Sequence, residues 1–408
     1  MMAGNFAIGC GVMVVAGSLN DLASALQVSA AVAGQLITAG AVAMGLGAPL
    51  LAAALVRFDR RWLLTAALLW FALGHALSAL MAGYAALLPV RMLAVLGAAV
   101  FTPQAAAAIH VLAPPEQRGR AITTVFLGWS LSSVLGMPLH SFIAETMGWR
   151  WAFALVAVFS TAAAWGVWRT VPEGVKPPTL SMASWGRVLT HPLLMGMVGV
   201  TLLSAAGQFT LFSYFAPYYR QVLGASAGEV SFLFFWFGAF GLLGNVMLSR
   251  WIDRLGAARC VHIGIVLMAL SLAVWPLTGP LTGPLTGTLT GPLTGPLTGA
   301  AGSAALLGGV AGMAAAVVPW ALGCFSCNSA QQARLSQASA AYAPALLSLN
   351  TSAIYGGQAI GAAGGGALLA HSGFRTLPWA GLAWMLVALG LSLWAARRLQ
   401  RVGPAADG

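Results

Sequence analysis

Charge is what this sequence lacks. Only 7% of its 408 residues are Asp, Glu, Lys or Arg, and Asp and Glu together number 8. An ordinary soluble domain carries about a quarter charged residues. With 59% hydrophobic residues besides, the chain has no polar surface to offer water, which excludes a soluble globular domain. No Gly-rich loop ending in Gly-Lys-Ser or Gly-Lys-Thr is present, so ATP held in such a loop powers nothing on this chain. No His, Asp, Glu or Cys residues stand at catalytic or metal-ligand spacing. Of the 4 cysteines, Cys10 and Cys260 carry no partner signal. Cys324 and Cys327 have a C-x-x-C spacing, but inside an apolar run and without flanking ligands, where thiols read as small fillers. No enzymatic activity, metal or cofactor is expected.

What is there is apolar length. Twelve runs of about 20 residues fall at 3–22, 30–56, 62–81, 84–109, 121–144, 151–168, 193–218, 230–248, 261–277, 301–325, 345–369 and 377–396. In lipid the backbone must satisfy its own hydrogen bonds, so such runs form helices. The 50 glycines fit close packing of those helices. The first run begins almost at Met1, as a signal peptide would. No small-residue cleavage site follows it, however, and the paired-half organisation below needs this helix.

The charges orient the chain. Of the 19 basic residues, 15 fall in segments on the side that holds both termini. Arg150, Arg220 and Arg375 fall on the other side, and Arg91 lies within a span. Cytoplasmic loops are enriched in Lys and Arg, which makes the termini cytoplasmic. A net charge of +11 would otherwise point to nucleic acid. Spread over short loops on one side of a membrane, it does not.

Two halves are visible. The segment 169–192 holds Pro172, Pro177 and Pro178 and reads as a cytoplasmic linker between six-span bundles at 1–168 and 193–401. Asp253-Arg254-Leu255-Gly256 and Arg259 follow span 8, and a degraded counterpart, Arg57-Phe58-Asp59-Arg60-Arg61, follows span 2. Gly148-Trp149-Arg150 follows span 5 as Gly373-Phe374-Arg375 follows span 11. The second pair of landmarks lies further apart than the first. The excess is close to the length of 276–299, six tandem tetrapeptides of the Pro-Leu-Thr-Gly type. Pro opens five of the six and Gly closes each, the fourth beginning with Thr288; that pattern forbids a regular helix, so this reads as an expanded low-complexity loop on the outer side, without a binding role.

The chain resembles the major facilitator superfamily, in its drug/proton antiporter branch with arabinose-efflux-permease-like members. The resemblance rests on Gly34-Gln35, Gly47-Ala48-Pro49, Arg91, Thr102-Pro103-Gln104, Gly128-Trp129-Ser130, Gly136-Met137-Pro138, Asn328-Ser329-Ala330-Gln331 and Asn350-Thr351-Ser352, in this order and at this spacing. It implies an all-α membrane protein of twelve transmembrane helices in two parallel six-helix repeats. It also implies that Gly128, Gly136 and Pro138 form the antiporter signature of span 5. In the loop motif, Asp253 with Arg254, Gly256 and Arg259 keeps the family pattern that caps a neighbouring helix. The first-half loop, with Arg57 and Asp59, has Val56 where the family has Asp.

Polar residues inside spans are costly unless they face the interior. Arg91, about seven residues or roughly 10 Å into span 4, is either an interior charge or a snorkelling one. The resemblance also implies an interior Arg here. Gln104, Gln208, Tyr214, Asn350, Tyr355 and Gln358 are candidates to line a substrate pathway. Many relatives carry an acidic residue in span 1; here the stretch reads Cys10-Gly11-Val12-Met13. That leaves Arg91 as the sole expected interior charge, with Asp21 as its nearest counter-ion. His140 either substitutes as the proton carrier or hydrogen-bonds at its helix end. The expected function is proton-coupled export of a small neutral or anionic organic molecule across a bacterial inner membrane. A proton-independent facilitator is the alternative in the same fold, and a non-transporting sensor or membrane enzyme the alternative in another class. Expected partners are the substrate, protons and the lipid bilayer, not nucleic acid, and a monomer is expected.

Overall fold

The computed structural model describes residues 1–55, 57–114, 118–176, 182–278, 298–339 and 342–402. Most of the tetrapeptide loop, the side chain of Asp253 and all of Val56 lie outside the described residues.

All twelve apolar runs are helical. Span 1 is a bent pair, α1 (Met2–Gly17) and α2 (Leu19–Ala25), inclined by 56°. At the bend the Ser18 hydroxyl donates back to the Val14 carbonyl at 2.6 Å, a bond that tends to bend helices. Span 2 is α3 (Ala30–Ala54), whose first turn is capped by the Ser29 side chain. Span 3 is α4 (Arg60–Leu80), capped by Asp59. Span 4 is α5 (Tyr84–Ala94) followed by α6 (Leu96–Leu112). Span 5 is α7 (Arg118–Leu131), a π turn at Ser132–Gly136, and α8 (Met137–Met147). Pro138 has no N–H to give the preceding turn, and the helix widens just ahead of it. Span 6 is α9 (Trp149–Thr170).

The short α10 (Met182–Thr190) lies in the segment read as a linker. Span 7 is α11 (Pro192–Phe212) with α12 (Phe215–Gln221), and span 8 is α13 (Ala227–Leu255), which opens on a Ser226–Glu229 capping box. Span 9 is α14 (Ala257–Val274), span 10 is α15 (Thr298–Ala338), span 11 is α16 (Ala343–Ser372) and span 12 is α17 (Leu377–Val402). Gly256 joins α13 to α14 at φ 80°, a conformation that costs other residues energy.

Among the described residues, nine helices are long and apolar enough to span a membrane by themselves, and the bent first pair makes ten. The other two are spans 5 and 11. One is interrupted by the π turn, and the other carries Asn350, Gln358 and a run of glycines. Both pack on protein along their length, so neither needs a wholly apolar surface.

Packing repeats with a six-span shift. In the first half α4 packs along α9 and α6, α1 along α7 and α9, and α3 along α5 and α6. In the second half α14 packs along α17 and α15, α11 along α16 and α17, and α13 along α15. The halves meet along two seams. In one, α3 runs beside α16; in the other, α13 packs on the π turn and α8. Small residues make both contacts close. A Cβ added at Gly238 would lie 2.5 Å from the Ser133 carbonyl oxygen, and Gly45 lies opposite Tyr355, Ser352 and Gly356. Trp62, Leu77, Trp165, Trp379 and Leu386 are exposed on outer faces, where lipid rather than water is the solvent.

Span 10 departs from expectation. Its helix continues beyond residue 325 to Ala338 and takes Asn328, Gln331 and Arg334 with it. Arg334, expected in a loop, is buried, so Arg91 is not the sole interior charge.

Candidate functional site

The side chain of Arg91 points into the first half rather than toward the headgroups. It is buried among spans 1, 3, 4 and 6, with its guanidinium 5.9 Å from the Phe153 ring centre. Nη2 donates to the Gly11 carbonyl at 2.7 Å and to that of Val12 at 3.3 Å. Nη1 lies 2.7 Å from His75 Nε2. His75 Nδ1 in turn lies 2.8 Å from the Phe71 carbonyl, which can only accept. Nδ1 therefore carries the proton, and Nε2 presents a lone pair to Arg91. Gly11 makes this convergence possible: a Cβ there would meet Phe71 at 2.5 Å and His75 Nε2 at 2.8 Å.

No carboxylate among the described residues completes the cluster. Among the described residues the ion pairs are Arg61–Glu173 at 2.7 Å and Arg220–Glu145 at 3.4 Å. Asp21, the expected counter-ion, accepts from the Trp149 backbone N–H at 2.5 Å and so caps α9. His140 is buried on α8, against Gly17 of span 1 and within electrostatic range of His75. Neither of its ring nitrogens has a hydrogen-bond partner among the described residues, which sets aside a simple helix-end role. A buried polar group left this way is costly and asks for an explanation.

The remaining pathway candidates form other groups. Gln104 is buried on α6. Two residues before it, Thr102 donates to Asn5 Oδ1 at 2.9 Å, and Asn5 Nδ2 donates to the Val125 carbonyl at 3.1 Å. In the second half Asn350 Oδ1 accepts from Thr201 at 2.6 Å, and Gln208 Nε2 donates to Cys324 Sγ at 2.7 Å. Gln208, Thr201, Ser204, Asn328 and Gln331 line a cavity of about 20 Å³, room for about one water molecule. Tyr214 and Tyr355 stand at the α3–α16 seam. The Tyr214 hydroxyl donates to the Ala362 carbonyl at 2.7 Å, and Gln358 is buried on α16.

The motif residues divide by role. Gly128 faces the α1 backbone at Met2 and Phe6, and Gly136 faces Cys10. The span 5 signature thus presses span 1 against one side of the π turn while Gly238 of span 8 presses on the other. Gly47 faces Leu96, and Pro49 sits inside α3. Asp59 caps α4 and also accepts from the Gly174 N–H at 2.5 Å, which ties the span 2–3 loop to the chain after span 6. Arg57, Arg254 and Arg259 are exposed.

Sequence reasoning missed His75, although the rule that singled out Arg91, a polar group inside an apolar span, applies equally to it. It also missed a buried guanidinium in the second half. Arg334 donates to Ser392 Oγ at 2.8 Å and to the Ser392 carbonyl at 3.1 Å, and His262 of α14 meets the same Ser392 backbone.

Twelve spans in two repeats, joined by two small-residue seams and carrying buried polar clusters within each half, define a membrane transporter. The chain belongs to the major facilitator superfamily, whose family model matches residues 1–342. It is 25% identical to the uncharacterized MFS-type transporter YbcL of Bacillus subtilis over 391 residues, 95% of this chain and 93% of that protein. To a chloramphenicol resistance protein of Streptomyces lividans it is 32% identical over 278 residues, 66% of this chain and 69% of that protein. The crystal structure of a D-xylose–proton symporter superposes with a TM-score of 0.72 at 19% identity, covering 96% of this chain and 95% of that one.

Proposed function

We propose that the protein exports a small neutral or anionic organic molecule in exchange for protons across a bacterial inner membrane. In this reading both termini are cytoplasmic, and bundles 1–168 and 193–401, joined by the 169–192 linker, rock against one another. The observation that carries it is the Arg91–His75 pair without a carboxylate. While His75 is neutral, its Nε2 lone pair and the Gly11 carbonyl hold Arg91. A proton arriving at Nε2 removes that acceptor and places two cations side by side. Two charges 4 Å apart repel by about 4 kcal/mol at an effective dielectric of 20. The new N–H faces the Gly11 carbonyl, already 3.4 Å from Nε2, and competes with Arg91 for it. Arg91 then shifts, and span 1 with it. His140, buried on α8 with neither ring nitrogen partnered among the described residues, is the relay toward the outer side in this reading. The same uncompensated positive charge disfavours a cationic substrate.

The export direction rests on the span 5 signature and on the chloramphenicol resistance relative. Asp253, Arg254, Gly256 and Arg259 serve as a closing contact between spans, and Gln208, Asn350, Tyr355 and Gln358 as substrate-side groups in the second half. The lack of a carboxylate in the Cys10-Gly11-Val12-Met13 stretch of span 1 favours one second reading, a facilitator that uses no protons.

The test is flux in proteoliposomes with and without an imposed pH gradient, using labelled chloramphenicol, a labelled neutral sugar and a lipophilic phosphonium cation as probes. Gradient-driven movement of a neutral probe is expected. Gradient-independent flux establishes the facilitator, and preferred transport of the cation overturns the charge argument.

A further inference from the structure

We propose that the second half contains a binding site for a soft monovalent metal ion, Cu(I) or Ag(I), formed by the thiols of Cys324 and Cys327 and the thioether of Met268. All three side chains are buried, and all three line the one cavity of about 20 Å³ between spans 7, 9, 10 and 11. The cysteines are free thiols. Their three-residue spacing on α15 puts them on one helix face, about 5–6 Å apart at Cβ, and Met268 of α14 reaches the same space from the neighbouring helix. Gly264 and Gly323 let α14 and α15 approach this closely. A Cβ at Gly264 would meet Cys327 Cβ at 2.7 Å, and one at Gly323 would meet the Gly264 carbonyl oxygen at 2.5 Å.

The donor set chooses the ion. Thiolate and thioether sulfur select Cu(I) and its soft congeners, whereas zinc and harder ions want more imidazole, thiolate or carboxylate ligands. Among the described residues no group of three or more His, Cys, Asp or Glu side chains is placed to hold a metal. Two thiols and a thioether are therefore enough for a two- or three-coordinate soft ion and too few for a tetrahedral one.

Charge balance gives an independent reason. Binding is M⁺ + 2 RSH → M(SR)₂⁻ + 2 H⁺: two metal–sulfur bonds form, two S–H bonds break, nothing is oxidised or reduced, and the site gains one negative charge. Arg334 lies seven residues beyond Cys327, two turns along the same helix, within electrostatic range of the Cys327 sulfur. It is buried, takes hydrogen bonds only to Ser392 as acceptor, and belongs to neither ion pair among the described residues. A guanidinium left in this state is costly, and the bis-thiolate anion supplies the missing charge. Gln208, which already donates to Cys324 Sγ, stabilises the thiolate in the same bond.

The test uses the purified full chain in detergent. Cu(I) is titrated in under anaerobic reduction, in competition with a coloured Cu(I) chelator, and proton release and the ultraviolet thiolate-to-Cu(I) band are followed. The expected result is one ion per chain and two protons released. Affinity should fall at least about tenfold in Cys324→Ser and in Cys327→Ser, fall by a smaller factor in Met268→Leu, and stay unchanged in a Cys10→Ala/Cys260→Ala double variant. Should the serine variants fold poorly, Ag⁺ added to the unaltered chain should protect Cys324 and Cys327 together from alkylation, as read by peptide mass. Binding that survives Cys324→Ser, binding lost in the Cys10/Cys260 variant, or alkylation of Cys324 and Cys327 at the same rate with and without Ag⁺ overturns the proposal.

Discussion

Arg91 and Arg334 occupy corresponding spans of the two repeats, and both are buried without a carboxylate partner. Each also has a histidine near it on the preceding span, His75 for one and His262 for the other. Their anchors differ. Arg91 is held by the lone pair of a titratable imidazole and by carbonyls bared at Gly11, and protonation can take the first of these away. Arg334 is held by the hydroxyl and carbonyl of Ser392, neither of which is a basic group that protonation can take away. They also stand at opposite ends of their spans, Arg91 in the first third of span 4, in the last turn of α5, and Arg334 late in α15, and spans 4 and 10 run in the same direction in a twelve-span chain of two parallel repeats. One repeat thus carries its buried cation toward one face of the membrane, and the other toward the opposite face.

The largest effect that would break this comparison concerns the two arginines. Arg91→Ala should reduce gradient-driven transport at least about a hundredfold at normal abundance. Arg334→Ala should act mainly on stability, by about 1–3 kcal/mol for the Ser392 groups left unpaired. Thermal melting in detergent and flux in proteoliposomes separate the two, and the reverse pattern would cancel the distinction. Next is His75→Gln, in which an amide oxygen can accept from Arg91 but cannot titrate. Transport should fall about tenfold and lose its pH dependence, while the melting temperature stays within a few degrees; a pH profile like that of the unaltered protein would remove His75 from proton coupling. His140→Ala should give a smaller loss of the same kind, and full gradient-driven transport in that variant would exclude the relay. Gly11→Ala is gentler, since its methyl must displace Phe71 and His75. Overpacking of this kind costs about 1–3 kcal/mol, and a variant as stable and active as the parent would show that spans 1 and 3 yield easily there. Least of all should deletion of 280–299 matter: insertion and flux should be unchanged, because low-complexity repeats offer no distinct side chains.

Hydropathy made the twelve spans legible because it measures the surface that lipid must cover. It failed where a helix end is covered by protein instead. Past Phe325, the residues Asn328, Gln331 and Arg334 look like a loop, yet they continue α15 with their polar groups turned onto Met197 and Ser392. Arg91 stood out by charge alone. His75 did not, because a neutral histidine leaves an apolar run nearly undisturbed, and the significance of Gly11 lies in a carbonyl that every residue carries. The bend at Ser18 has a local cause, but a lone serine in a glycine-rich helix is too common to announce it. The loop motif of the second half remains a reading of sequence, since the Asp253 side chain lies outside the described residues.

The Tyr214 ring sits between Gly34 of α3 and Gly366 of α16, where a Cβ on either glycine would crowd its hydroxyl. Further along the same seam the contact is nearly backbone on backbone, at Gly45 and Gly356. Interdigitated side chains behave as gear teeth, which must be unmeshed before the parts can turn. Glycine against glycine is closer to a plain bearing: it carries load across the joint and resists rotation little. In the rocking proposed above, the Tyr214 end of the seam is the part that must unmesh, and the contact of Gly45 with the Gly356 backbone is the part that can slide.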